Sequence, residues 1–195
     1  MRHIGEFEIV SGKIIITDPC YAQDGICQLS NRKAKRGVWV ASIEVHDGSV
    51  SVLHAHHIDH EGDLPNISIG TIGVDSGMAG IYDMEKYKDQ TLISLNDIQE
   101  MKNKNDDTYD EDFVNRDPWY AYNCFQVSDN SAGIIPFGTV SASGAGDGDY
   151  FVRGKYVEKE LVAIDVIFED HSACNLDYEG EEYANEVCTG FPEEE

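Results

Sequence analysis

Along most of the chain apolar and polar side chains alternate with a period of two, as in "EFEIVSGKIIIT", "GVWVASIEV", "SVSVLHAH", "TIGVD", "YAYNCFQVS", "IIPFGTVSAS", "DYFVRGKY" and "LVAIDVIFE". Successive side chains of a strand point to opposite faces, so runs of this length, rich in Val, Ile, Tyr and Phe, predict half-buried β-strands. Turn residues separate them. Asp47-Gly48 lies between "IEV" and "SVSVL" and predicts a type I′ hairpin, because both turn positions need positive φ. Ser11-Gly12 is expected to join the first two runs in the same way. Helical patterning is confined to the middle. There "IYDMEKYKDQ" fits two turns, and "SLNDIQEMKNKN" opens on a Ser94-x-x-Asp97 capping pattern before a short amphipathic run. Residues 103–118, "NKNDDTYDEDFVNRDP", read as an acidic loop with one more helical turn, and residues 175–195 as an acidic extension. Many short strands with few helices exclude a parallel sheet, which needs a helix at each crossover. The expected fold is mainly β (α+β), an antiparallel β-sandwich or open barrel with short helical insertions, formed as one domain over residues 1–174.

Charge narrows the partners. The 14 basic against 37 acidic side chains give a net charge of −23. Direct nucleic-acid binding is therefore disfavoured, since phosphates must be met by Lys and Arg, and encounter with a basic protein surface or with cations is favoured. No stretch approaches the roughly 18 apolar residues of a membrane helix, and "MRHIGEFEIV" lacks the pattern of a secretory leader. The 5 cysteines, an odd number without a dense framework, suit free thiols. A cytoplasmic protein is expected.

Three stretches could carry chemistry. "SASGAGDGDY" (141–150) lacks the Gly-Lys-Ser/Thr ending of a phosphate-binding P-loop. It also departs from an EF-hand calcium loop, because Val152 stands where the glycine belongs and the terminal Glu is missing. Its glycines fit a sharp turn or bulge, with Asp147 bonding backbone amides and Tyr150 re-entering the core.

The set "SGKIIITDPCY", "GVDSGMAGIYD" and "VSASGAGDGDYFV", followed by "LVAIDVIFED", resembles an uncharacterised bacterial and phage domain-of-unknown-function family. Its members carry an early Asp-Pro, a central Val-Asp-x-Gly and a late Ser-Gly-x-Gly-Asp-Gly-x-Tyr. The resemblance spans most of residues 8–170 and implies a shared β-rich fold and a common site, with no activity attached. Asp18, Asp75 and Asp147 each sit where a strand gives way to a Gly- or Pro-containing turn. If those turns share one end of the fold, the ligand-binding set is Asp18, Cys20, Asp75, Gly144, Gly146, Asp147, Gly148 and Tyr150. Converging carboxylates would hold a divalent cation or perform acid–base work, whereas separate ones would each stabilise their own turn.

In "HAHHIDH" (54–60), His54, His56 and His60 form a second candidate metal locus, against the simpler reading of exposed polar residues at a hairpin end. Asp106, Asp107, Asp110, Glu111 and Asp112, with Trp119 as an aromatic anchor, could present a phosphate-like array of charge to a basic cleft. The leading expectation is thus a non-enzymatic interaction protein that engages a basic protein surface, as a phage or mobile-element inhibitor of a host nucleic-acid-binding defence protein would. The alternative is a metal-dependent hydrolase or small-ligand binder using the Asp cluster, with a divalent metal as its cofactor.

Overall fold

The computed structural model describes residues 1–60, 62–103 and 111–168. Its strands are β1 (Arg2–Ile9), β2 (Lys13–Thr17), β3 (Leu29–Lys33), β4 (Gly37–His46), β5 (Ser49–His57), β6 (Ile67–Val74), β7 (Met78–Asp83), β8 (Ala132–Ile135), β9 (Gly138–Ala142), β10 (Gly148–Val157) and β11 (Glu160–Ile167). The helices α1 (Leu95–Asn103), α2 (Glu111–Arg116) and α3 (Pro118–Asn130) fall between β7 and β8. Pairing gives a six-stranded sheet in the order β1-β4-β5-β11-β10-β6 and a five-stranded sheet in the order β3-β2-β7-β9-β8. Neighbouring strands are antiparallel throughout. The mainly β, sandwich-like α+β expectation holds, and among the described residues no barrel closes.

Alternation explains the layering. One face of the six-stranded sheet turns Trp39, Ile43, Leu53, Val152 and Val166 inward onto Ile14, Ile16 and Ile81 of the five-stranded sheet. Each such side chain removed from water contributes on the order of 1.5–3 kcal/mol. The opposite face of the five-stranded sheet, carrying Ile15, Tyr82 and Val140, packs under the helices through Met101, Val114, Trp119 and Phe125. The layers therefore run helices, five-stranded sheet, six-stranded sheet.

Local chemistry accounts for the joints. Asp47 (φ 50°) and Gly48 (φ 86°) make the β4–β5 turn with both residues left-handed, as the dipeptide predicts. Ser94 and Asp97 cap α1 reciprocally, with the Ser94 amide donating to Asp97 Oδ2 at 2.9 Å and the Asp97 amide donating to Ser94 Oγ at 3.1 Å. The α2 turn lies inside the expected acidic loop, while residues 104–110 and 169–195 fall outside the described residues.

Three expectations need correction. Ser11-Gly12 is a corner between sheets, because β1 pairs with β4 whereas β2 pairs with β3 and β7. Buried Asp83 fixes that corner by accepting from the Val10 and Ser11 amides, each at 2.7 Å. "YAYNCFQVS" is helical: Pro118 occupies the first turn, Asp117 caps it by accepting from the Tyr120 amide at 3.0 Å, and Ser131 (φ 60°) ends it. Its alternating apolar residues cover both the five-stranded sheet and the neighbouring helices, so period two in sequence did not mean a strand. In "IYDMEKYKDQ", Ile81–Asp83 close β7 and no α-helix forms.

Candidate functional site

The turns bearing Asp18, Asp75 and Asp147 do meet, at one end of the sandwich. Asp18 follows β2, Asp75 follows β6, and Asp147 precedes β10. Asp18 is fully buried. Its Oδ2 accepts from the amides of Asp75 (2.8 Å) and Ser76 (2.7 Å). Its Oδ1 accepts from the Cys20 amide (2.8 Å) and the Ser76 hydroxyl (2.6 Å). Asp147 Oδ1 accepts from the Gly77 amide at 3.1 Å, and Tyr21 Oη donates to Asp75 Oδ2 at 2.8 Å. The simpler reading, in which each Asp serves its own turn, is thus replaced by a latch in which Asp18 and Asp147 hold the β6–β7 turn.

Both Asp18 oxygens are occupied by protein donors, which leaves that carboxylate without the capacity for a general base or a cation ligand. Among the described residues no three His, Cys, Asp or Glu side chains are grouped to hold a metal ion. Cys20 sits beside the latch, and burial, its hydrogen bond to Asp18 and the charges of Asp18 and Asp75 push its thiol up to about 12. A thiol so displaced stays protonated at neutral pH and is no nucleophile.

The glycine-rich segment is the sharp turn expected of it. Ser143 Oγ and Tyr150 Oη both donate to the Gly146 carbonyl, at 2.5 and 2.7 Å, and Tyr150 is buried. Gly144 (φ 63°) lies so close to β5 that a Cβ there would stand 2.0 Å from the Val50 carbonyl oxygen. Only glycine fits that position.

Beside the latch opens a cleft of about 500 Å³, lined by Tyr21, Ile26 and Cys27 of the β2–β3 loop, Gly73 and Asp75 at the end of β6, and Asp149 of β10. Asp18 ties the start of the loop down, Tyr87 Oη donates to the Tyr21 carbonyl at 2.8 Å, and Gln23 Nε2 donates to the Met84 carbonyl at 2.7 Å. Gly73 gives the cleft its floor, with its amide donating to the Cys27 carbonyl at 2.8 Å. A loop fixed at this many points nonetheless leaves Ile26 85% exposed. Of the expected ligand-binding set, Asp75 and Gly148 line this cleft. Tyr21 follows the quoted Asp-Pro-Cys motif directly, whereas Ile26 and Asp149 carry no local signal.

The histidine string lies elsewhere. His54 and His56 are half-buried in the middle of the six-stranded sheet on its outer face, which corrects their expected exposure at a hairpin end. His57 turns inward, donating from Nε2 to the Arg36 carbonyl (2.9 Å) and accepting at Nδ1 from the Asp59 amide (3.1 Å). His60 lies beyond the strand, and the expected trio of His54, His56 and His60 does not assemble.

The acidic epitope is corrected at its anchor. Trp119 is 1% exposed and packs against Tyr82 and Tyr87 at ring-centroid separations of 5.3 and 5.0 Å, so it belongs to the core. Glu111 pairs with Lys102 at 2.9 Å, and Asp106, Asp107 and Asp110 lie outside the described residues. Among the described residues no helix is long and apolar enough to cross a membrane.

No family model matches the chain, and neither a curated protein nor a solved structure matches it.

Proposed function

We propose that the chain is a non-enzymatic interaction protein that engages a basic surface of another protein, with the cleft beside the latch as its point of contact. The observation that carries this reading is the pairing of an exposed isoleucine, Ile26, with carboxylate and phenol groups around a preformed concavity. An apolar contact next to Tyr21, Asp75 and Asp149 suits the stem and charged head of a partner's Lys or Arg side chain. The net charge of −23 steers such a partner from a distance. Nucleic-acid-binding proteins present basic surfaces of this kind, and an inhibitor of a host defence protein is the narrower form of the proposal. A hydrolase at the Asp cluster is disfavoured by the commitment of Asp18 to protein donors.

The test is fluorescence anisotropy of labelled Lys- and Arg-containing peptides with the full chain at about 50 and 300 mM salt. Saturable binding that weakens with salt, and weakens about tenfold in Ile26→Ala or Asp149→Asn, supports the reading, since roughly 1.4 kcal/mol corresponds to that factor. Salt-insensitive binding, or binding indifferent to both substitutions, overturns it.

A further inference from the structure

Away from the cleft, the outer face of the six-stranded sheet carries a side-chain chain that the proposed interaction does not use. Register places His54 between Ser42 of β4 and Asp165 of β11, and His56 between Val40 and Ala163. Asp165 Oδ1 lies 2.5 Å from His54 Nδ1, and His54 Nε2 lies 3.1 Å from His56 Nδ1. The side chains of His54 and Asp165 are only 18% and 23% exposed.

These contacts fix the chemistry. A carboxylate beside Nδ1 holds the proton there, so the lone pair of His54 is on Nε2 and aims at His56. Two imidazole nitrogens facing each other need something positive between them: the Nδ1 proton of His56 or a cation. Cis ligands at a Zn–N distance of about 2.0–2.1 Å stand roughly 2.9–3.4 Å apart, which brackets the separation found. Changing which ring nitrogen carries the proton frees His56 Nδ1 without any net loss of charge.

We propose that His54 Nε2 and His56 Nδ1 form a chelating pair for an imidazole-preferring divalent cation, Zn²⁺ foremost, with Asp165 as the carboxylate that orients His54. Imidazole ligands select Zn²⁺, Ni²⁺ or Cu²⁺ over Mg²⁺ and Ca²⁺, which prefer oxygen. Since no third His, Cys, Asp or Glu among the described residues joins the pair, the cation keeps open positions for water or for a donor atom from a bound molecule. Asp165 could not be found by spacing, because it is 109 residues from His56 and is brought alongside only by the β5–β11 pairing.

The experiment is isothermal titration of the untagged full chain with Zn²⁺, supported by Co²⁺ absorption as a reporter of nitrogen coordination. All test proteins carry His3→Ala, because exposed His3 lies in the row of Ser42 and His54. One Zn²⁺ per chain, lost in both His54→Gln and His56→Gln, is expected, with Asp165→Asn about 10–100-fold weaker. Circular dichroism of each variant verifies the fold. No saturable binding by the parent, or binding unchanged when both histidines are replaced, overturns the proposal. Mg²⁺ competing at concentrations comparable to Zn²⁺ also overturns it.

Discussion

Asp18 shows how one side chain can serve several segments. Its carboxylate accepts from three backbone amides and one hydroxyl drawn from the turns after β2 and β6. A hydrogen bond to a charged group contributes about 1.5–3 kcal/mol, and removing the acceptor also strands buried donors. Asp18→Ala should therefore lower unfolding stability by about 3–5 kcal/mol in urea titration, whereas exposed Asp75→Asn should cost under about 1 kcal/mol. A loss below about 1 kcal/mol for Asp18→Ala would rule out the latch. The latch was partly visible in the sequence, because Asp-Pro and Val-Asp-Ser-Gly mark turns, but the direction of the bonds between the turns was not.

At the scale of the element, hairpins divide into those the sequence announces and those it hides. Asp47-Gly48 is announced. The β10–β11 turn is hidden, because Glu158 (φ 49°) and Lys159 (φ 69°) adopt left-handed backbone without a glycine or asparagine. Left-handed residues other than glycine are strained by roughly 1–2 kcal/mol. Lys159→Gly should thus raise stability by about 0.5–1 kcal/mol, after the larger loss of unfolded-state entropy is subtracted. A fall in the thermal midpoint would show that the Lys159 side chain contributes more than its backbone costs. Helix α3 marks the opposite failure, since its alternating aromatic pattern imitates a strand. The helix start at Asp117-Pro118 was the better signal, because a capping side chain and a fixed φ act locally while alternation reports only burial.

For the whole molecule, charge is the dominant property. An excess of 37 acidic over 14 basic groups works against compactness at low ionic strength. Raising NaCl from about 10 to 150 mM shortens the screening length from roughly 30 to 8 Å, so the thermal midpoint should rise over that range. A midpoint that falls would mean that attractive pairs such as Lys33–Glu160 and Lys102–Glu111 outweigh the repulsion. The same screening should weaken partner binding, so stability and affinity are expected to move in opposite directions with salt.

Class of fold, most of the strands, the capped start of α1 and the β4–β5 hairpin could all be read along the chain, because alternation, capping and turn chemistry act over a few residues. Three results needed the folded chain: the separation of β1 and β2 into different sheets, the burial of Trp119, and the pairing of His54 with Asp165. Each depends on which distant strand or helix lies alongside. That choice is made by the joint packing of two sheets and three helices, so no single segment encodes it.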